Sequence, residues 1–140
     1  MSVLRAGVIA GLIGGALDII AAVTIYPAVY GAKPERILQS IAAGVEGRAA
    51  YEGGAASAIL GLVLHFLIAV AAGLVLAFVM ARIEAMRRLV LTIGAVFGVA
   101  VYFFMQKIVL PLSNAGAQTP DMKAMSIGIA IHIFLFGAPM

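Results

Sequence analysis

One aspartate, two histidines and a tyrosine are the residues of this chain whose types and spacing could do chemistry. Asp18 falls three residues after Gly15 and seven after Gly11, and His65 falls four after Gly61 and four before Ala69. Tyr102 and Gln106 continue the series Gly94–Gly98, and His132 continues Ala124–Gly128. Steps of three, four and seven return to one face of a helix, so each polar group shares a stripe with small residues. A carboxylate beside two imidazoles can hold and pass on a proton, or ligate a metal cation through Asp18, His65 and His132. Tyr102 would stand behind them as a hydroxyl donor, with Gln106 and Lys107 as secondary polar groups on the same helix.

Two further chemistries fit these residue types. His65 and His132 on different helices could serve as axial ligands of a b-type haem, with Gly61, Gly98 and Gly128 leaving room for the ring. Met105, Met122 and Met125 would offer soft thioether ligands for Cu(I), although methionine in apolar segments is mostly packing. The chain has no cysteine, which removes disulfides, cysteine zinc sites, iron–sulfur ligation and thiol catalysis. It carries no H-E-x-x-H, phosphate-binding loop, nucleophile elbow or dinucleotide-binding glycine pattern, so an enzyme is not the expectation.

The elements that must position these groups follow from composition. Of 140 residues 64% are hydrophobic and only 11% charged, far more apolar surface than a soluble fold of this size can cover. The medium must therefore be lipid, and the net charge of +3 reads as topology signals between apolar runs, not as a nucleic-acid footprint. A spanning helix takes about 20 apolar residues. Four such runs can be drawn, over residues 6–29, 55–81, 89–110 and 124–140, so the expected fold is all-α: an antiparallel four-helix transmembrane bundle forming a single domain. The first run continues past Asp18 to Tyr30, too long for a signal-peptide core, and is read as a retained span. Between spans one and two, Pro34 can start a short amphipathic helix over 34–46, with Ile37, Leu38, Ile41, Ala42 and Val45 on its apolar side.

Helices in lipid associate through small residues that let backbones approach. Gly7, Gly11 and Gly15 form such a stripe on span one, Ser57, Gly61, Ala69 and Gly73 on span two, Gly94 and Gly98 on span three, and Ala124 and Gly128 on span four. At about 1.5 Å per residue, Asp18, His65, Tyr102 and His132 all fall roughly 12–17 Å below the outer boundary. An intramembrane carboxylate costs about 2.5–3.5 kcal/mol on insertion scales, so Asp18 needs a partner, water or a proton. His65 or His132 is its expected partner. Asp18 precedes Pro27, and Tyr102 precedes Pro111, by the same interval, a faint echo of two related hairpins.

The connection from Arg82 to Arg88 carries three arginines against one glutamate and marks the inside surface. The N-terminus with Arg5 is then cytoplasmic, and both longer connections are outside. The stretch from Leu60 through His65 to Ala69, with the later run from Val101 to Ser113, resembles a group of small uncharacterised four-span bacterial inner-membrane proteins. That resemblance implies a multi-pass inner-membrane location and no activity. Three functions are compatible with these readings: proton or metal-cation handling or transport; b-type haem electron transfer; and an accessory subunit whose glycine stripes bind a second copy or another membrane protein.

Overall fold

The computed structural model describes residues 1–83 and 88–140, all helix and connections, with no strand among them. Among the described residues five main helices follow one another, α1 (Val3–Tyr30), α2 (Pro34–Glu46), α3 (Gly54–Arg82), α4 (Val90–Leu112) and α5 (Met122–Gly137), with a short 3-10 helix over Gly47–Tyr51. Of these, α1, α3 and α4 are long and apolar enough to cross a membrane, with mean hydropathies of 2.2, 2.8 and 1.9. Their outward faces carry large apolar side chains, among them Leu67, Phe78, Val96 and Phe104, each more than half exposed. In water such a surface would be costly; in hydrocarbon it is the ordinary outside. Helix α5 is apolar but covers 16 residues, or about 24 Å, less than the roughly 30 Å of a hydrocarbon core. It starts at Met122 because Asp121 caps it, the carboxylate accepting the Ala124 N–H at 2.7 Å, and it ends at Gly137, short of the 124–140 expected from hydropathy. Of the arginine-rich connection, residues 84–87 lie outside the described part.

Two glycine seams hold the helices together. On α1, a Cβ at Gly7 would lie 2.8 Å from the Leu74 Cα, one at Gly11 2.5 Å from the Val70 Cα, and one at Gly15 2.7 Å from the Ala69 Cβ. Contacts thus descend α3 as they ascend α1; at Gly7 and Gly11 they are backbone approaches that only glycine allows, and at Gly15 the neighbour is the Ala69 side chain. The second seam joins α4 to α5. Gly94 faces the Gly137 carbonyl and Gly98 the His132 carbonyl, again in opposite numerical sense. Gly14, on a different side of α1, meets the Phe136 carbonyl and ties the two pairs together. Between α3 and α4 the helices stand apart and leave an apolar cleft of about 510 Å³.

Helix α2 occupies the predicted residues, with Pro34 in its first turn and Gly47 at φ 62° as its C-cap. Its buried face differs from the one expected: Gln39, Ala42 and Ala43 are buried, whereas Val45 is 56% exposed. The cause is Gly61 of α3, where a Cβ would clash with the Leu38 carbonyl. Gly61 therefore receives α2 and not another long helix. An approach this close suits small residues on α2, and the Gln39 side-chain amide donates to the Gly54 carbonyl at 3.1 Å. Ala42, Ala43 and Ala50 form a dense cluster with Leu60 and Ala115. The connection after α4 docks on the other end of α2. The Asn114 backbone N–H donates to the Gly44 carbonyl and its side-chain amide to the Val45 carbonyl, satisfying C-terminal carbonyls that would otherwise lack partners.

Helices α4 and α5 each change pitch. In α4 the i→i+5 pattern of a π-helix runs over Met105–Val109, directly before Pro111. Proline lacks an N–H, and its ring crowds the carbonyl four residues back, at Lys107, so the helix widens there. In α5 the same pattern runs over His132–Gly137. Neither segment was expected from the apolar periodicity.

Candidate functional site: a buried Asp–His–His centre

Asp18 lies on α1, one turn beyond the last contact of the α1/α3 seam, and is 8% exposed. Its two oxygens face different rings. Oδ2 lies 3.9 Å from Nε2 of His65 on α3, and Oδ1 lies 3.6 Å from Nδ1 of His132 at the head of the π segment of α5. The three residues that sequence spacing placed at one depth on three helices are thus neighbours in space.

Neither imidazole hydrogen-bonds the carboxylate directly. His65 Nε2 is 2.8 Å from the Gly15 carbonyl, and His132 Nδ1 is 2.9 Å from the Gly128 carbonyl. A carbonyl oxygen can only accept, so both nitrogens carry the proton and donate it. That fixes the tautomers of the neutral rings: the lone pair of His65 is on Nδ1, and that of His132 on Nε2. The bond from His65 also crosses between helices and joins α3 to α1. Oδ1 of Asp18 and Oε1 of Gln106 are buried without a hydrogen-bond partner among the described residues. Buried polar atoms are almost always satisfied, and these two exceptions line the same cavity.

That cavity has a volume of about 400 Å³. Asp18, His65, Gln106 and His132 line its inner end, and Ser40 and Gly44 of α2 its roof. At about 30 Å³ each, several waters fit such a volume, and its polar end supplies the partners they require. A separate cavity of about 260 Å³ lies near the start of α1, between Met1, Ala10, Met80 and Met140, and shares no lining residue with the first.

The other candidate residues stand as follows. Tyr102 is buried, but its ring packs edge-on against His132, at 5.3 Å between centroids and 74°, and covers Gly128. It supports the imidazole by contact, and the expected hydroxyl bond to Asp18 is not formed. Gln106 lines the same cavity as Asp18 and both imidazoles, on the stripe its spacing from Gly98 and Tyr102 gives it. Lys107 is exposed. The three methionines have different settings: Met105 lines the cavity, Met122 is 73% exposed, and Met125 is half-buried. Among the described residues no group of three His, Asp or Glu side chains is arranged to hold a metal ion. The nitrogens nearest Asp18 have no lone pair to give a metal or haem iron unless both carbonyl bonds break. Near α2 the features missed by spacing are its role as a roof and the Ser57 hydroxyl donating to Glu46 at 2.5 Å.

At the end of the bundle where α5 begins, Tyr30 donates to Asp121 at 3.0 Å and Tyr26 to the Ala124 carbonyl at 3.3 Å. The Ala124 backbone N–H, followed by the Tyr30 hydroxyl, holds the Asp121 carboxyl below its ordinary value of 3.8. No family model, characterised protein or solved structure matches this chain. The functional reading therefore stands on the geometry of the site.

Proposed function

We propose that the chain is a multi-pass protein of the bacterial inner membrane that handles protons at Asp18, with His65 and His132 as the groups that exchange and stabilise the charge. The observation that carries this reading is a buried carboxylate presenting one oxygen to each of two imidazoles, with Oδ1 left without a bond. Ionisable groups at membrane depth are costly and usually mark ion or proton paths. A proton leaving Asp18 has beside it a mostly apolar cavity to which His65, Gln106 and His132 bring polar groups, and a second cavity lies toward the opposite end of α1. The two nitrogens that face the carboxylate are N–H groups held by carbonyls, so what they offer Asp18 is a donor and not a lone pair.

In this reading α1, α3, α4 and α5 are four antiparallel spans, which the opposite numerical sense of both glycine seams supports. The shorter α5 is accommodated by flanking residues and local bilayer thinning. Arg82 and Arg88 flank the inside connection, the N-terminus is cytoplasmic and α2 lies on the outer side. The outward apolar faces meet lipid and a second copy or another membrane protein. Purified protein in vesicles with an internal pH dye should dissipate a pH gradient, Asp18→Asn should abolish that flux, and Asp18→Glu should retain part of it. Equal flux from Asp18→Asn and the unaltered chain would overturn the proposal.

A second reading has its own observation. The carbonyl bonds of His65 and His132 pin helix positions, and an accessory subunit would need nothing more from them. Absence of flux with a well-folded protein, together with co-purification of another membrane protein, would favour it.

A further inference from the structure

The apolar cleft between α3 and α4 and the cavity under α2 share one wall. Ile68 on α3 and Val101, Met105 and Val109 on α4 line both. On the lipid side the cleft is flanked by Ala71 and Ala100, both exposed, and their short side chains leave the space between α3 and α4 unfilled. The partition is narrow and aliphatic, and one of its members, Met105, is an unbranched thioether that changes rotamer easily. It also opens the π segment that widens α4 at this level, and such widenings recur at functional sites. Beyond the partition stand Asp18 Oδ1 and Gln106 Oε1, two buried acceptors without donors. With volumes of about 510 and 400 Å³, the two spaces each fall in the range of small-molecule sites, mostly apolar with a few convergent polar groups.

We propose that these two adjoining spaces, joined when the Met105 side chain swings aside, bind a neutral, lipid-soluble molecule with a hydroxyl head, which enters sideways from the bilayer between α3 and α4. The head donates its one O–H to Gln106 Oε1, and the apolar body lies against Ile68, Val101 and Phe104. A charged head is disfavoured because it would have to cross the aliphatic partition without partners. A head that only accepts hydrogen bonds would leave both oxygens unpaired. The inference rests on the membrane placement given above but not on proton flux.

The test uses the full chain in lipid nanodiscs and a long-chain alcohol carrying a photoreactive diazirine in its alkyl body. Crosslinks should map to α3 and α4 along the cleft, and unlabelled alcohol should compete. The corresponding methyl ether should compete about tenfold less well, the equivalent of one hydrogen bond. Gln106→Leu should remove most of that discrimination. Ala71→Trp and Ala100→Trp, placed on the lipid-exposed rim where folding tolerates bulk, should reduce labelling at least several-fold. Equal competition by alcohol, ether and plain alkane would overturn the proposal, as would labelling unaffected by both tryptophan variants. Flux measured on the same preparations separates the two ideas. Loss of alcohol selectivity with intact flux sinks the ligand alone, whereas selective binding without flux sinks the proton reading alone.

Discussion

Replacing Gly73 by alanine tests the packing that brings Asp18 to His65. A Cβ at Gly73 would clash with the Gly7 carbonyl oxygen and lie 2.6 Å from the Gly11 nitrogen and 2.8 Å from the Gly11 Cα, all backbone atoms of α1. None of them can turn away as a flexible side chain would. Ordinary contact begins near 3.4 Å, so α1 must recede by about 1 Å, and overpacking of this kind costs about 1–3 kcal/mol. Alanine returns about 0.5–1 kcal/mol through its better helix propensity, leaving a net loss of about 1–2 kcal/mol. The His65 bond to the Gly15 carbonyl, 2.8 Å long, crosses the same seam, so a 1 Å separation lengthens it beyond a good hydrogen bond. Gly44→Ala is the matched control. It lies inside α2 with its nearest neighbour, Ser113, 3.9 Å from the new Cβ, and should be neutral or stabilising by up to about 1 kcal/mol. Unfolding by denaturing detergent in mixed micelles, followed by circular dichroism, measures both variants. Equal stability of Gly73→Ala and the unaltered chain, or equal losses in the two variants, would refute the seam.

Gly61→Ala places a Cβ against the Leu38 carbonyl, which no rotamer change relieves, and should lift α2 from α3 and open the roof of the cavity. Because the chain has no cysteine, Ile41→Cys can be labelled alone; its reaction with a polar maleimide should accelerate several-fold in the Gly61→Ala background, and an unchanged rate would show that α2 stays seated. The cap of α5 carries a pH prediction. With its folded value lowered beneath 3.8, ionised Asp121 supports the helix fully above that pH and loses its effect as pH falls through the lowered value. The Ala124 amide shift should therefore titrate with a midpoint below 3.8 and lose that titration in Asp121→Ala; a midpoint at or above 3.8 would contradict the cap.

Much of the centre was legible because helical spacing converts directly into direction. Asp18, His65 and His132 follow small residues by three or four positions, and small residues in lipid mark the faces where helices meet. Three of the long helices were legible for the same elementary reason, a run of apolar residues sufficient to cross hydrocarbon. The parts that were not legible depend on contacts between segments far apart in sequence. Nothing local distinguishes Gly61, which receives α2, from Gly73, which receives α1, since both follow the same period. The rotated face of α2 follows from the close approach at Gly61, not from its own apolar pattern. Pro111 announced the end of α4, and the widening just before it is a consequence of the missing N–H that could have been anticipated. Tyr102, expected as a hydroxyl donor to the carboxylate, instead packs its ring on His132.

Infrared difference spectra of the protein in intact vesicles, recorded as pH is stepped, address the carboxyl group itself. A buried carboxylic acid that gains and loses a proton gives a C=O band. That band should vanish in Asp18→Asn and shift in both His65→Phe and His132→Phe, because each ring faces a different oxygen. A titrating band that survives in Asp18→Asn, or one indifferent to both histidine variants, would contradict the account.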